Sequence, residues 1–227
     1  MNKIPKHIAF IMDGNRRWAK KNKFQIIIGH NKGVDRVEEL VDYASTLGIE
    51  VMTFWAFSTE NWNRSKEEVS DLMDVFRRMV NGNMIKKMMK NGVRVQTVGD
   101  VNAFPEDITK RLNEIVKDSK DNQKITAVFA LNYGGRDEIL RAVNKLIAEK
   151  KDSVDEKLFA QQLFTKDLPD PDFIVRTGGE MRLSGYFPWQ STYSELYFTH
   201  CLWPDFDTEE FKNALVEYAR RERRFGK

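Results

Sequence analysis

The sequence predicts an α/β fold: a single domain with a central, mostly parallel sheet of about six strands flanked by helices. Three observations lead there. Short apolar runs rich in Ile, Val and Phe alternate with longer segments of helical periodicity, the pattern of strands joined by crossover helices. The apolar runs end in polar clusters: Asp13-Gly14-Asn15, Ser58-Thr59-Glu60-Asn61, Gly99-Asp100, Asn132-Tyr133-Gly134-Gly135 and Arg176-Thr177-Gly178-Gly179. Parallel strands place such clusters on one rim, where open α/β sheets bind their ligands. No internal repeat, low-complexity tract or linker divides the 227 residues, and 41% are hydrophobic, enough for one sizeable core.

Taken in order, His7–Met12 reads as a buried strand stopped by Asp13-Gly14. Asn15 is placed as the N-cap of a helix over Arg16–Lys21. Lys32–Leu47 carries Val34, Val37, Leu40, Val41 and Ala44 on one helical face and ends at Gly48. Val51–Phe57 is the second strand. Ser65 caps a long helix to about Lys90, stopped by Asn91-Gly92. Val93–Val98 is the third strand, and Pro105 opens a helix to about Lys120. Ile125–Leu131 is the fourth strand, with helices over Asp137–Lys150 and Asp155–Phe164. Phe173–Val175 and Glu195–Thr199 complete the strands, and Thr208–Arg221 is the final helix.

The bulk numbers exclude some classes. A net charge of +3, from 37 basic and 34 acidic residues, argues against a nucleic-acid partner and for local basic clusters. The single cysteine, Cys201, forms no intrachain disulfide and reads as a small buried hydrophobe. The first residues, Met1 to Lys6, lack the apolar region of a signal peptide, and no apolar run is long enough for a bilayer. A cytoplasmic protein, at most peripheral to a membrane, is expected.

The first rim cluster carries chemistry. A helix beginning after Gly14 offers free N–H groups and a favourable dipole to an anion, and Arg16 and Arg17 add forked donors suited to phosphate. Asp13 beside them is a lone carboxylate, a Mg²⁺ ligand or proton-handling group. A strand, a turn and a solvated basic helix would have the same composition. Ser58–Arg64 is either a substrate-binding loop or a capped turn into the next helix. Arg176 to Ser184 joins two arginines, two hydroxyls and two glycines as a diphosphate cradle, although neither a Walker loop nor Gly-x-Gly-x-x-Gly occurs. His30 is structural unless it meets the Asp13 corner. The Met-rich helix over Glu67–Lys90 lines an apolar cavity or simply packs. The basic tail from Arg220 is a solvated helix end or a segment docking on a partner subunit.

Several long motifs, in order, resemble the cis-prenyltransferases of the undecaprenyl diphosphate synthase type: Met12-Asp13-Gly14-Asn15-Arg16-Arg17-Trp18-Ala19, Gly29-His30, Phe57-Ser58-Thr59-Glu60-Asn61-Trp62-Asn63-Arg64, Asn132-Tyr133-Gly134-Gly135-Arg136, Arg176-Thr177-Gly178-Gly179-Glu180, and Tyr193 to Phe198 through Trp203-Pro204-Asp205-Phe206. The match runs from about Ile4 to Gly226. The resemblance implies Mg²⁺-dependent condensation of isopentenyl diphosphate onto an allylic diphosphate, usually farnesyl diphosphate, by a homodimer. It implies catalytic roles for Asp13, Asn61 and His30, and metal ligation by Asp13 and Glu195. Substrate contacts fall to Gly14, Asn15, Arg16, Arg17 and Trp18, to Ser58, Thr59, Glu60, Trp62 and Arg64, and to Arg176, Arg182, Leu183 and Ser184, with isopentenyl diphosphate on Arg176, Arg182 and Ser184. The segment Arg221–Lys227 is expected to contribute to the partner's site. Two departures stand out: Ile26 replaces an arginine four residues before His30, and Met181 replaces a histidine seen in some members. The Asp-Asp-x-x-Asp signature of trans-prenyltransferases is absent, since the chain has no Asp-Asp pair. A growing prenyl chain needs an apolar tunnel, and the small Ala56 one step before the rim implies an open one and a long-chain product. The alternatives are a short-chain synthase and a non-catalytic partner subunit; Asp13, Asn61 and both arginine clusters favour an enzyme.

Overall fold

The computed structural model describes residues 4–221. Six strands, β1 (His7–Ile11), β2 (Val51–Ser58), β3 (Val93–Val98), β4 (Ile125–Tyr133), β5 (Phe173–Arg176) and β6 (Glu195–Phe198), form one sheet in the order β3-β4-β2-β1-β5-β6. Every neighbouring pair is parallel. The helices are α1 (Asn15–Lys21), α2 (Ile26–Thr46), α3 (Lys66–Asn81), α4 (Asn83–Lys90), α5 (Glu106–Asp118), α6 (Gly135–Ala148), α7 (Glu156–Ala160) and α8 (Thr208–Arg220). Single 3₁₀ turns occupy Thr59–Asn63, Val101–Ala103 and Trp203–Asp205.

Both faces of the sheet are covered, which is why β1 is buried at all five positions and reads as a continuous apolar run. The period of two still sorts its side chains. Ile8 and Phe10 join the larger core with α2, α3, α5 and α8, whereas Ala9 and Ile11 join Tyr133, Tyr186 and Phe187 on the other face. Phe10 stacks on Phe54 at 5.3 Å and meets Trp203 and Phe211 at 5.8 Å. This aromatic cluster anchors the larger core under the rim.

The chain leaves β1 for β2 on one side, and β5 is laid on the other. The carboxyl ends of β1 and β5 therefore part at a topological switch point, the crevice where such sheets bind ligands. Asp13 follows β1 there, and Arg176 pairs with Ile11 at the end of β5.

Several local expectations are corrected. Gly14, at φ 118°, is the N-cap of α1, and Asn15 is the first helical residue, its Nδ2 donating to the Met12 carbonyl at 3.2 Å. The backbone there must turn left-handed, which glycine does without strain. α2 starts at Ile26 rather than Lys32 because α1 packs tightly on it: a Cβ at Gly29 would lie 2.3 Å from the Asn15 carbonyl oxygen. Ser65 caps α3, its Oγ accepting from the Glu68 N–H at 3.2 Å. The expected single helix to Lys90 is two, because Gly82 takes an extended conformation (ψ 175°) between α3 and α4. The helix expected to Phe164 ends at Ala160 and gives way to turns.

Candidate active site

Asp13 sits at the switch point with each carboxylate oxygen engaged. Arg17 Nη2 lies 3.0 Å from Oδ1 and Arg176 Nη2 lies 3.1 Å from Oδ2. Its carbonyl is fixed as well, accepting from Thr177 Oγ1 at 2.7 Å and from the Trp203 N–H at 3.1 Å. Arg17 Nη1 donates to the Gly178 carbonyl at 2.6 Å, tying α1 to the loop after β5. Asp13 is thus a rigid carboxylate between two guanidinium groups.

Two polar hollows flank it. The first, about 410 Å³, is lined by Met12, Asp13, Gly14, Asn15, Arg16, Arg17, Lys20, His30 and Arg64. Glu68 on α3 organises its cations: Oε1 accepts from Arg64 Nη1 at 2.7 Å and lies 3.2 Å from Arg16 Nη1. Met12, Asn15 and His30 are shared with an apolar slot of about 60 Å³ beneath, walled by Val34, Val37, Ala56, Leu72, Val75, Phe76, Met79, Phe129 and Trp203. A charged mouth therefore opens over an apolar slot between α2, α3, β2 and β4. His30 is at the boundary. Burial, reinforced by Arg64 and Arg16 against the opposing pull of Glu68, lowers its pKa to about 4, so the imidazole is neutral at neutral pH. Its Nε2 and the Asn15 Oδ1 are buried without a partner in the protein, two polar atoms at the mouth ready for a ligand.

The second hollow, about 380 Å³, is lined by Ile11, Met12, Asp13, Trp55, Ser58, Glu60, Asn61, Arg64, Arg176 and Ser184. Arg176 is its centre: Nη1 donates to Ser184 Oγ at 2.8 Å and to the Arg182 carbonyl at 2.5 Å, while its buried Nε has no partner. Ser58 and Asn61 form a capping box around the 3₁₀ turn, with Asn61 Oδ1 accepting from the Ser58 N–H at 3.1 Å. A backbone N–H can only donate, so the chemistry itself assigns that atom as oxygen. Asn61 thus has an oxygen already engaged and an NH₂ group left to donate.

The other residues singled out in the sequence sit elsewhere. Trp18 Nε1 donates to Asp205 Oδ1 at 2.6 Å, with the ring stacked on Phe24 at 5.8 Å, docking α1 on the Trp203–Asp205 turn. Trp62 turns away from both hollows toward Phe57 and Phe104. Thr59 packs against Gly134, and Leu183 against the smaller core. The Arg182 side chain pairs with Glu180 and is 61% exposed; its backbone carbonyl, not its guanidinium, reaches Arg176. Glu195 opens β6, at the end of the strand away from the rim, and pairs with Arg221 at 3.3 Å, so the structure does not bring it to Asp13 within one chain. Met181, 79% exposed, is also away from Asp13. With Ile26 in place of the arginine, Lys20 is the lysine that lines the first hollow. Sequence reasoning passed over Glu68, whose carboxylate holds Arg64 and Arg16, and gave Thr177 and Trp203 only as motif members, whereas their hydroxyl and backbone N–H fix the Asp13 carbonyl. The one available signal for Glu68 was its place four residues after Arg64, one helical turn away.

Among the described residues, no group of three or more His, Cys, Asp or Glu could cage a metal. Mg²⁺ needs no such cage, since it is held by one or two carboxylates together with substrate phosphates. Asp13, lining both hollows, fits a Mg²⁺ that arrives with a diphosphate.

Comparison with known proteins identifies the family. The family described as "Putative undecaprenyl diphosphate synthase" matches residues 11–226. An isoprenyl transferase of Fusobacterium nucleatum is 47% identical, covering 98% of this chain and 96% of the relative. The crystal structure of lavandulyl diphosphate synthase from Lavandula x intermedia, in complex with dimethylallyl diphosphate, superposes with a TM-score of 0.94 at 35% identity, covering 99% of each chain. That of a probable undecaprenyl diphosphate synthase from Campylobacter jejuni gives 0.83 at 33% identity over the whole of both chains. With a family match over nearly its full length and the arginine-flanked Asp13 at the switch point of the expected sheet, the chain belongs to this family of prenyl diphosphate synthases and is a prenyltransferase.

Proposed function

We propose that the protein extends an allylic diphosphate, farnesyl diphosphate in the first instance, with isopentenyl diphosphate in a Mg²⁺-dependent reaction. The observation that carries this reading is the pair of cationic hollows meeting at Asp13, of which one opens into an apolar slot. An allylic substrate has a charged head and an apolar tail, and the first hollow with its slot offers both environments. Isopentenyl diphosphate, with a five-carbon tail, suits the second hollow. In the reaction the bond from the allylic carbon to diphosphate breaks, a carbon–carbon bond forms to the terminal carbon of the isopentenyl alkene, and a proton leaves the CH₂ between the resulting tertiary cation and the diphosphate-bearing carbon, taken up by the released diphosphate. Arg16, Arg17 and Lys20 hold the departing diphosphate and stabilise its charge. Arg176 and Ser184 hold the second diphosphate. Asn61 donates its NH₂ hydrogens and so orients a substrate or relay group; an amide is in any case a poor base. Bound Mg²⁺ neutralises part of the diphosphate charge.

Ala56 in the slot wall supports a long-chain product, since a larger side chain would close the slot there. A second reading, a short-chain product, is favoured by the slot's volume of about 60 Å³ between Phe76, Met79 and Phe129, smaller than the ~150 Å³ that accepts benzene. A long product requires the methionine-lined wall to part, and methionine is the adaptable residue for that role. A homodimer is supported by the open edge of β6, where Leu196, Tyr197 and Phe198 are only half-buried beside Val216, 40% exposed. Most of the tail expected to reach the partner, residues 222–227, lies outside the described residues. No described helix is long and apolar enough to cross a membrane; peripheral contact for release of an apolar product is part of the proposal.

Purified protein incubated with farnesyl diphosphate, labelled isopentenyl diphosphate and Mg²⁺ tests all of this by product mass. A polyprenyl ladder is expected, shortened in Ala56→Leu while the first condensation survives. A wild type that stops after one addition selects the short-chain reading. No condensation at all, with Mg²⁺ present, overturns the proposal.

A further inference from the structure

We propose that Asn132 is a positioning residue for prenyl transfer: it grips the indole of Trp62 and so fixes the Thr59–Asn63 turn that presents Asn61 to the second hollow. Asn132 is the penultimate residue of β4, only 8% exposed, with a left-handed backbone at φ 48°, a conformation asparagine tolerates better than most residues. Both ends of its amide are engaged. Oδ1 accepts from Trp62 Nε1 at 2.8 Å, and Nδ2 donates to the Asp100 carbonyl at 3.0 Å. The indole can only donate and the carbonyl only accept, so the orientation of the amide is chemically fixed.

The turn needs such a grip. The register of β2 against β4 slips between Trp55 and Ser58, so the backbone leading into the turn departs from a regular ladder just before Thr59. Trp62 supplies the anchor: its ring meets Phe57 at 4.9 Å and Phe104 at 5.8 Å, and its N–H reaches Asn132. The ring contacts are apolar and permit sliding, whereas the N–H bond sets the angle. Asn61 immediately precedes Trp62 in the chain and is locked to Ser58 by the capping box. A tilt of the indole therefore moves Asn61 relative to Asp13 and Arg176, and displacements of about 1 Å can cost ~10²-fold in rate.

Steady-state kinetics of a double-mutant cycle tests this. Asn132→Gly keeps the left-handed backbone and removes the amide; Trp62→Phe keeps the ring and removes the N–H. Each is expected to lower kcat about tenfold, with a smaller change in KM for isopentenyl diphosphate. The double variant should be no slower than the worse single one, because both cut the same bond. Asn132→Asp, which retains the acceptor, should keep more of kcat than Asn132→Gly. Additive losses, or Trp62→Phe at full kcat, overturn the proposal, and the latter holds even if Asn132→Gly does not fold. A fall in Tm alone, with kcat intact, would assign Asn132 a merely structural role and also overturn it. The inference rests on Asn61 facing the reaction, as proposed above. Asn61→Ala at full kcat would remove that premise, a result the cycle itself cannot produce.

Discussion

The two hollows at Asp13 share a carboxylate and an arginine, Arg64, yet they are built differently. The first is lined from α1 and α2, its cations are half-exposed, and it opens downward into the apolar slot. The second is lined from strand ends and centres on Arg176, whose side chain is 6% exposed. A half-exposed cationic mouth over an apolar slot suits a substrate whose tail grows. A rigid, buried guanidinium suits one whose size never changes. Asp13 touches one arginine from each side, so the two designs meet at this carboxylate.

The largest test removes that meeting point. Asp13→Ala should abolish turnover, by on the order of 10³-fold or more, while circular dichroism and mass in solution stay unchanged. Near-normal kcat would break the comparison at its centre.

Acid sensitivity separates His30, at the mouth of the first hollow, from the second hollow. Burial lowers the pKa of both His30 and His7 from 6.5 to about 4. As pH falls below 6.5 the unfolded chain binds these protons first, so stability present at neutral pH is lost as pH approaches 4. Complete loss amounts to about 3 kcal/mol for each histidine. Tm measured from pH 7 to pH 4.5 should fall, and less steeply in His30→Asn; an equal slope in that variant would place the acid sensitivity elsewhere.

Single-arginine variants sharpen the division of substrates. Arg176→Ala should raise KM for isopentenyl diphosphate about 10- to 100-fold, the worth of a charge-assisted hydrogen bond, and also lower kcat through its contact with Asp13. Arg16→Ala should raise KM for the allylic substrate and spare the other. Kinetics with each substrate varied in turn decide this, and identical effects would merge the two hollows into one site. The smallest change is expected for Arg182→Ala: its guanidinium is solvent-facing and paired with Glu180, so both KM values should stay within about threefold, consistent with an exposed pair worth at most ~1 kcal/mol.

Much of the frame is legible in the chain. The apolar runs, the cap at Ser65 and the glycine-marked strand ends are local signals, set by φ preferences and by the need to bury both faces of a parallel strand. Boundaries were less legible. The helix expected from Lys32 begins at Ile26, where Gly29 lets it pack closely on Asn15. Gly82 breaks a helix whose apolar face runs through without interruption. Among the site residues, Trp18, Trp62 and Arg182 look alike in the sequence: large, polar-tipped and next to the motifs. Only their partners Asp205, Asn132 and Glu180 show that each tip points away from the hollows.

By itself the sequence determined the alternation of strands and helices, the family, and the polar clusters on the rim, because these depend on residue type and short-range spacing. Tertiary structure alone decided which clusters meet. Asp13 and Arg176 are 163 residues apart and touch only because β5 is laid beside β1 at the switch point. Likewise only the folded turn directs the Ser58 N–H at the Asn61 oxygen and leaves the Asn61 NH₂ group free to donate. Hydrogen bonds are directional, and direction is a property of the folded backbone rather than of the residue's identity.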